Sequence, residues 1–424
     1  MSRLVGNAVV AQSGGPTAVI NASAAGVIQA ALASGDIPHV FGAHNGILGV
    51  VEEQLFDLGQ EDAAAIEGLR RTPSAALGSC RYKLKSLKDS RADYERILEV
   101  FRAHNVRYFF YIGGNDSMDT ADKLGILAGE TGYELRVMGI PKTIDNDLVE
   151  TDHCPGYGSV VKYLAVTVME AGRDTEALYT ADTATVLETM GRNTGWIAAG
   201  TGLAQRTAED APHLIYVPEV PFSVEGFVAD CQAVLQRLGR LFIVAAEGLT
   251  DEKGEYITTD TGAFATDAFG HRQLGGVAEF LKAIVEEKVG VKCRWNKLGT
   301  CQRNAMHFAS KRDSDEAYLV GEVAVQQALQ GRTGKMVTLV RESDNPYTIT
   351  TGLADLAVVA NGEKPLPREY MNDAGTHITE RMRRYAQPLI GGEVPLEMGA
   401  DGLPTYVRLK RRFIEPKTGR RSAG

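Results

Sequence analysis

The sequence predicts an α/β protein built from two doubly wound lobes with mainly parallel sheets. Along most of the chain, short apolar segments typical of strands alternate with longer segments of helical pattern. Loops rich in glycine or polar residues repeatedly follow the apolar segments, as they do where parallel strands end. The length of 424 residues exceeds that of one typical core, so at least two domains are expected.

The first half of the chain repeats a strand–loop–helix plan, which indicates right-handed βαβ units. The predicted strands cover residues 7–12, 106–112 and 135–140. The predicted helices cover residues 17–34, residues 92–104 and the segment after Ser117 to about Gly129. Pro16 precedes the first of these helices, at a position where a first helical turn tolerates proline.

The same alternation continues through the second half of the chain. The predicted strands cover residues 183–189, 213–217, 241–246, 293–298 and 335–340. The predicted helices cover residues 156–172, 193–205, 224–238, 275–287 and 315–330. Beyond about residue 340 the pattern becomes irregular, and the basic tail from Pro416 is expected to be frayed.

Composition and charge argue against several classes of protein. The hydrophobic content of 44% is ordinary for a globular chain, and the formal net charge of −9 argues against a general nucleic-acid binder. No run of about 18 apolar residues is present, so no membrane span is expected. The five cysteines show no C-x-x-C spacing and no apolar targeting segment follows Met1, which indicates reduced thiols in a cytoplasmic protein.

The polar stretch at residues 141–147 follows an apolar strand and is the first candidate for a reaction centre. Asp145 and Asp147 are two residues apart, so in an extended segment both carboxylates would point to one side. One carboxylate of such a pair can accept a proton while the other holds a metal or tunes its neighbour. Lys142 could neutralise charge on a transferring phosphoryl group. The alternative is a solvated loop in which Lys142 is a hydrated cation beside two acids.

Two Gly-Gly loops, Gly14-Gly15 and Gly113-Gly114, open predicted helices and are candidate phosphate cradles. The second loop continues into oxygen-bearing side chains suited to Mg²⁺, namely Asn115, Asp116 and Ser117. The alternatives are a tight turn without a ligand and simple capping of the helix that follows. Three arginines in further loops are candidate phosphate ligands, or else surface ion-pair partners: Arg81, Arg192 and Arg303.

A net-acidic chain with glycines, carboxylates and arginines at successive strand ends predicts Mg²⁺-assisted phosphoryl transfer to or from a small phosphate ester. The same segments, in order from Ser13 to Arg303, resemble the phosphofructokinase family, and more closely its pyrophosphate-dependent branch. The most specific matches are residues 141–147 and Met190-Gly191-Arg192. Residues 315–321 extend the resemblance to about three quarters of the chain.

The resemblance implies two Rossmann-like lobes with the active site in the cleft between them. Residues 1–150, with roughly 305–360, would form the lobe that binds the donor pyrophosphate, and residues 151–304 the lobe that binds the sugar phosphate. Residues 361–424 would be an irregular C-terminal extension packed on the lobes. The resemblance also implies a homodimer or homotetramer in the cytoplasm that uses Mg²⁺.

The resemblance further implies a reaction and a role for each site residue. The 1-hydroxyl of fructose 6-phosphate would be phosphorylated reversibly, with Asp145 as proton acceptor and Lys142 and Asp116 at the reacting phosphates. The residues beside the sugar phosphate would be Thr143, Asp147, Met190, Gly191, Arg192, Glu247 and Arg303. Those beside the donor phosphates would be Gly14, Gly15, Arg81, Gly114 and Ser117, and those at the metal Asn115 and Asp116.

Two positions are expected to select the donor. ATP-using members of the family usually have glycine where this chain has Asp116 and Lys142. The aspartate puts bulk and negative charge where the α-phosphate of ATP would lie, and the lysine supplies a cation to pyrophosphate, which has no nucleoside to anchor it. Pyrophosphate is therefore the predicted donor. The alternatives are an ATP-dependent phosphofructokinase, a sugar-phosphate sensor without turnover and, less closely, an NAD-kinase type of protein.

This chain departs from the family pattern at three places. Asn115 stands where many members have aspartate, which leaves its direct contact with the metal open. Thr183 stands where bacterial ATP-dependent enzymes have an arginine that reaches a neighbouring subunit's sugar phosphate. Beyond about residue 340 the match is loose, and the candidates for completing the sugar-phosphate site are Tyr370, Arg381 and Arg384. No nucleotide effector site is recognisable, so a non-allosteric enzyme is expected.

Overall fold

The computed structural model describes residues 3–80, 82, 84–258 and 274–419, and within these ranges the strands form a seven-stranded and a four-stranded sheet. Strands and helices are numbered in chain order. The larger sheet contains, in spatial order, β11 (Tyr347–Asp355), β10 (Lys335–Asp344), β5 (Arg136–Pro141), β4 (Val106–Gly113), β1 (Asn7–Gln12), β2 (Val40–Ala43) and β3 (Leu55–Asp57). The smaller sheet contains β7 (Leu214–Tyr216), β8 (Leu241–Ala246), β6 (Ala184–Thr189) and β9 (Cys293–Lys297).

Both sheets are mainly parallel. In the larger sheet the inner pairs from β2 to β10 are parallel, whereas the outer pairs β2–β3 and β10–β11 are antiparallel. The three pairs of the smaller sheet are parallel. The carboxyl ends of parallel strands lie along one edge of a sheet, which is where α/β proteins bind ligands.

Helices cover both faces of each sheet, which confirms the predicted doubly wound α/β class. They are α1 (Ile20–Leu32), α2 (Ile47–Val51), α3 (Ala63–Gly68), α4 (Arg91–Ala103), α5 (Asn115–Glu130), α6 (Tyr157–Leu178), α7 (Trp196–Gly200), α8 (Val224–Leu238), α9 (Val277–Ile284), α10 (Cys301–Asn304), α11 (Lys311–Leu329), α12 (Leu356–Asn361) and α13 (Glu380–Ala386). In the described part of the chain, none of the helices combines the length and the apolar character that crossing a membrane requires.

Side chains alternate along each strand between two hydrophobic clusters. On β1, Val9 packs in the cluster that includes α4 and α5, and Val10 packs in the cluster of the other face, with α1 and α11. On β6, Leu187 packs towards α6 and α7, whereas Val186 packs towards α8 and α9. Because both faces are buried, the central strands are mainly apolar, which is why the sequence pattern revealed them.

Two predicted helix starts are wrong because local hydrogen bonds favour loops there. The first helix begins at Ile20, so Pro16 lies in a loop and not in a first helical turn. The Thr17 hydroxyl accepts a hydrogen bond from the Val19 amide at 3.2 Å, a local bond that competes with the helix.

The helix predicted over residues 193–205 begins only at Trp196 and ends in the 3₁₀ turn Thr201–Ala204. The Gly195 amide donates instead to the Glu219 carboxylate at 2.9 Å, so the residues before Trp196 form a loop. The strands β2, β3 and β11 were not predicted from the sequence. The first two are short, and β11 is largely exposed at the sheet edge.

The C-terminal segment is held against the larger-sheet lobe by Glu53. The Lys417 and Thr418 amides donate to the Glu53 carboxylate at 2.6 and 3.1 Å. The expectation of a frayed tail from Pro416 is therefore wrong as far as residue 419, because a buried carboxylate fixes this backbone.

Replacing Glu53 by glutamine is expected to destabilise the fold by about 3–5 kcal/mol, because it leaves the buried partners of the carboxylate unpaired. His104 Nε2 lies 2.7 Å and Arg96 Nη2 lies 3.4 Å from the Glu53 oxygens. Burial raises the pKa of Glu53, but hydrogen bonds from Thr418, Lys417 and His104 outweigh it and lower that pKa to about 2.

The pH dependence of this effect has a defined sign. Because the pKa in the fold is depressed, the Glu53 carboxylate stabilises the protein above about pH 4.5, and this stabilisation is lost as pH falls towards 2. Urea unfolding at neutral and acidic pH measures the effect. The control is Glu99→Gln, which removes an exposed carboxylate from the same Arg96 and should cost less than about 1 kcal/mol. Equal losses in the two variants would contradict the prediction.

Candidate active site

Three loops that follow β1, β4 and β5 lie side by side at the carboxyl edge of the larger sheet. The Ser13 amide donates to the Ile112 carbonyl oxygen at 2.9 Å, and the Lys142 amide donates to the Gly113 carbonyl oxygen at 3.1 Å. The Lys142 ammonium group crosses to the first loop, where it donates to the Gly15 carbonyl oxygen at 2.9 Å. The two glycine loops and the polar stretch 141–147 therefore form one surface.

This surface is one wall of a cavity of about 490 Å³, a size typical of small-molecule sites. The opposite wall comes from the loops after β6, β8 and β9. Ten of the residues that the sequence predicts for the site line the cavity: Gly15, Asp116, Lys142, Thr143, Asp145, Asp147, Met190, Arg192, Glu247 and Arg303.

Five other predicted residues lie in the same loops but outside the cavity lining: Gly14, Gly114, Asn115, Ser117 and Gly191. Arg81 lies outside the described residues. The Gly14 amide donates to the Cys80 carbonyl oxygen at 3.2 Å. Ser117 is buried under the loop, where a Cβ atom on Gly113 would lie 2.0 Å from its hydroxyl oxygen. These contacts pack the loops, and the predicted phosphate contacts of Gly14 and Ser117 stay predictions.

The two glycine loops differ in how they join their helices. Gly114 is the N-cap of α5, so Asp116 and Ser117 lie within its first turn and neither occupies the N-cap position. The capping alternative is therefore wrong for both. The loop at Gly15 does not open a helix directly, because the loop bonds before Ile20 delay the start of α1.

Asp145 and Lys142 both line the cavity, and the pKa of each is shifted towards neutrality. Burial, together with the charges of Asp147 and Glu247, raises the pKa of Asp145 to about 7. Burial lowers the pKa of Lys142 to about 8, against the opposing effect of Asp145 and Asp147. Lys142 is only 4% exposed, so the alternative of a hydrated cation is wrong. Strongly perturbed groups in a cleft are typical of catalytic sites.

Asn146 anchors the turn that carries the two aspartates. Its backbone φ of +57° is left-handed, a conformation that asparagine tolerates better than most residues. Its buried side chain donates to the Tyr385 hydroxyl at 2.8 Å and accepts from the Cys154 amide at 2.9 Å. The sequence suggested an extended segment, but the segment is not extended at its centre. Asp145 and Asp147 nevertheless both line the cavity.

The opposite wall is held together by close contacts between its loops. The Met190 amide donates to Gln302 Oε1 at 3.0 Å, which joins the loop after β6 to α10. A Cβ atom on Gly248 would lie 1.7 Å from the Arg192 carbonyl oxygen, so only glycine allows these loops to meet. Burial, with the charge of Glu188, raises the pKa of the adjacent Glu247 to about 7.

Ten lining residues were not predicted as site residues: Ile144, Glu188, Thr189, Asn193, Thr194, Leu274, Lys297, Gly299, Gln302 and Glu363. Lys297 Nζ lies 3.1 Å from Glu188 Oε1, and both residues stand at the carboxyl ends of strands. That position is a signal that could have found them. Glu363 lies in the irregular region after residue 340, where no pattern pointed to it.

The three C-terminal candidates for the sugar-phosphate site do not reach the cavity. Tyr370 packs edge-on against the Trp196 ring, and Arg381 pairs with Glu369. Arg384 is likewise absent from the lining formed by the described residues. The contacts of Tyr370 and Arg381 within the C-terminal region were not revealed by the sequence.

Two buried oxygen atoms beside the cavity fit a hard divalent cation. Asn115 Oδ1 and Asp147 Oδ1 have no hydrogen-bond partner within the described ranges. The side-chain Nδ2 atom of Asn115 donates to the Gly362 carbonyl oxygen at 2.8 Å, which fixes the direction of the Asn115 Oδ1 atom. Among the described residues, no three His, Cys, Asp or Glu side chains group as a metal site. Mg²⁺ suits such a place because substrate phosphates usually complete its ligands.

The fold and the cavity define a class of protein: an α/β protein of two sheets with a charged cleft of the size that holds a small molecule. The family model described as Phosphofructokinase matches residues 7–327. The chain belongs to the phosphofructokinase family.

Similar proteins cover nearly the whole chain. A pyrophosphate–fructose 6-phosphate 1-phosphotransferase of Xanthomonas campestris pv. campestris is 51% identical over 415 residues, which are 97% of this chain and 98% of that protein. A protein of the same name from Halomonas elongata is 48% identical over 97% of this chain and 98% of its own length. The crystal structure of a pyrophosphate-dependent phosphofructokinase from Marinobacter aquaeolei superposes with a TM-score of 0.89, at 42% identity, over 99% of this chain and 100% of that one.

Proposed function

We propose that this chain transfers a phosphoryl group from pyrophosphate to the 1-hydroxyl of fructose 6-phosphate, giving fructose 1,6-bisphosphate and phosphate. The names of its relatives support this reaction. The structural observation that carries it is the position of Lys142 and Asp116, which both line the cavity with Asp145. ATP-using members of the family usually have glycine at those two positions. Reversible transfer without allosteric control is part of the proposal.

Asp145 accepts the proton of the attacking hydroxyl. With a pKa of about 7 it is more basic than an ordinary carboxylate, yet it is substantially ionised at neutral pH. Its amide donates to the Thr143 hydroxyl at 3.0 Å, and its carbonyl oxygen accepts from the Thr194 hydroxyl at 3.1 Å. These bonds tie Asp145 to the loops of both walls, which supports a place for its carboxylate between the two substrates.

Lys142 stabilises negative charge on pyrophosphate and on the phosphate that leaves. A buried cation acts in a low dielectric, where its attraction for an anion is stronger than in water. Arg303 reaches the same loop, since a Cβ atom on Gly15 would lie 2.6 Å from its Nη1 atom. This supports a place for Arg303 between donor and sugar, and its contact with the 6-phosphate stays part of the proposal.

The remaining groups divide between the two sides of the cavity. Asn115 and Asp147 would hold Mg²⁺, with Asp116 in the same loop, and the ion would neutralise phosphate charge. The proposed donor lobe comprises residues 1–150 and roughly 305–360, and the proposed sugar-phosphate lobe residues 151–304, where Arg192 and Glu247 contact the sugar. The extension 361–424 packs on both. A homodimer or homotetramer in the cytoplasm completes the proposal.

Initial rates with each donor test the proposal. With Mg²⁺ and fructose 6-phosphate present, we expect turnover with pyrophosphate and a rate with ATP that is lower by about 10²-fold or more, because the Asp116 carboxylate repels the α-phosphate. The reverse reaction from fructose 1,6-bisphosphate and phosphate tests reversibility. Turnover with ATP alone would establish the ATP-dependent alternative. Calorimetric binding of fructose 6-phosphate without any product would establish the sensor.

A further inference from the structure

Residues 361–366, which we call the strap, carry the chain from one lobe to the other beside the cavity. The helix before the strap, α12, packs in a hydrophobic cluster of the larger sheet. Leu366, at the end of the strap, is buried in a hydrophobic cluster of the smaller sheet. The match to the family model ends at residue 327, so the strap lies beyond it.

The backbone of the strap contacts two loops of the donor side. The Gly362 carbonyl oxygen accepts from Asn115 Nδ2 at 2.8 Å, and the Lys364 amide donates to the Asp147 carbonyl oxygen at 2.8 Å. Asn115 Oδ1 and Asp147 Oδ1 are among the buried oxygen atoms that have no hydrogen-bond partner within the described ranges. The strap therefore holds the side chain of Asn115 and the backbone of Asp147.

The side chain of Lys364 fixes the strap in place. Its ammonium group donates to the Thr151 and Asp152 carbonyl oxygens at 3.0 and 2.8 Å. The Trp196 indole donates to the Lys364 carbonyl oxygen at 2.9 Å, and the Leu366 amide donates to Glu219 Oε1 at 2.8 Å. With both ends anchored, the residue between Gly362 and Lys364 has little freedom to move.

That residue is Glu363, which lines the cavity. Its Oε1 atom accepts from Asn193 Nδ2 at 2.7 Å, and Asn193 directly follows Arg192 on the sugar side. Asp147 lines the same cavity. Glu363 thus contacts the sugar-side loop from a segment that also holds the donor-side loops.

We propose that Glu363 is a positioning residue for fructose 6-phosphate: it holds Asn193, and with it Arg192, in register with Asp147 across the cavity. This inference rests on the proposed function, because it concerns the site for that sugar phosphate. Its carboxylate does not act on the reacting atoms. Losing the bond to Asn193 therefore affects binding of the sugar more than the chemical step.

Steady-state kinetics of Glu363→Ala test this role. We expect the KM for fructose 6-phosphate to rise about tenfold and kcat to stay within about twofold of wild type. A tenfold rise lies near the lower end of the free energy of a hydrogen bond to a charged group, because Glu363 is exposed. Glu363→Gln keeps an acceptor for Asn193 and should restore the KM to within about twofold. Asn193→Ala should match Glu363→Ala, and the double variant should be no worse than either.

The affinity for fructose 6-phosphate, measured by calorimetry without donor, should fall in the variants whose KM rises. The control is Glu369→Ala, which removes a carboxylate of the C-terminal region that pairs with Arg381 away from the cavity. An unchanged KM in Glu363→Ala, an additive double variant, or a glutamine variant as impaired as alanine would overturn the proposal. Wild-type protein without pyrophosphate-dependent turnover would instead overturn the proposed function, so the two failures are distinguishable.

Discussion

Replacing Asp145 by asparagine is expected to lower kcat by about 10²- to 10⁴-fold, the contribution typical of a general base. The amide keeps the shape of the side chain, so both substrates still bind, but it cannot accept the proton of the attacking hydroxyl. Folding is expected to survive the change. Because the pKa of Asp145 in the fold is raised to about 7, its charged form is less stable there than in water, and asparagine removes that cost. Kinetics and thermal unfolding of one sample measure both effects.

The matched control is Asp230→Asn. Asp230 accepts a hydrogen bond from the Tyr216 hydroxyl at 2.9 Å and lies outside the cavity lining, so its loss should leave kcat unchanged. The kcat of Asp145→Ala should fall as far as that of Asp145→Asn. Near-normal turnover in either folded Asp145 variant would remove this residue from the proton transfer.

The pH dependence of kcat/KM follows from the same groups. The rate should rise as pH passes about 7, because Asp145 must lose its proton, and fall as pH passes about 8, because Lys142 loses its charge. Burial, Asp147 and Glu247 raise the pKa of Asp145, whereas Lys142 and Arg192 lower it. The rise near pH 7 should disappear in Asp145→Asn. If it persists there unchanged, another acid such as Glu247 controls the rate.

Replacing Lys142 by methionine is expected to lower the rate with pyrophosphate by about 10²- to 10³-fold. This is the typical effect of losing one preorganised group that stabilises charge in a transition state. Methionine fills a similar space without a charge. Any rate with ATP should fall less, so the ratio of the two rates moves towards ATP. Lys142→Gly, which restores the residue usual in ATP-using relatives, should move the ratio in the same direction. Initial rates of each variant with both donors measure this ratio.

Lys162→Met is the control for the loss of a buried ammonium group. Lys162 is buried and donates to the Gly392 carbonyl oxygen, but it does not line the cavity. Its replacement should leave the ratio of rates unchanged. An equal loss with both donors in Lys142→Met would show that Lys142 supports the loop at Gly15 and does not select the donor.

The sequence predicted the central strands because their two buried faces favour apolar residues, as in the interiors of β1, β5 and β8. Of the site residues predicted from the sequence, ten line the cavity. The short strands β2 and β3 and the exposed edge strand β11 were missed. Two helix starts were misplaced, because they depend on single hydrogen bonds such as that from Gly195 to Glu219. Glu363 was missed because its place depends on the strap, whose partners are far away in the sequence.

The sequence by itself determined that a lysine, a threonine and two aspartates stand together after β5, since neighbours in the chain stay neighbours in space. Only the tertiary structure decided their pKa values and the conformation of the turn that presents them. Burial moves the pKa values of Lys142 and Asp145 to about 8 and 7, and burial is a property of the packed lobes. The turn that presents both aspartates depends on contacts of Asn146 with Tyr385, 239 residues away. Such contacts exist only once the C-terminal region has folded against the cavity, which no local pattern encodes.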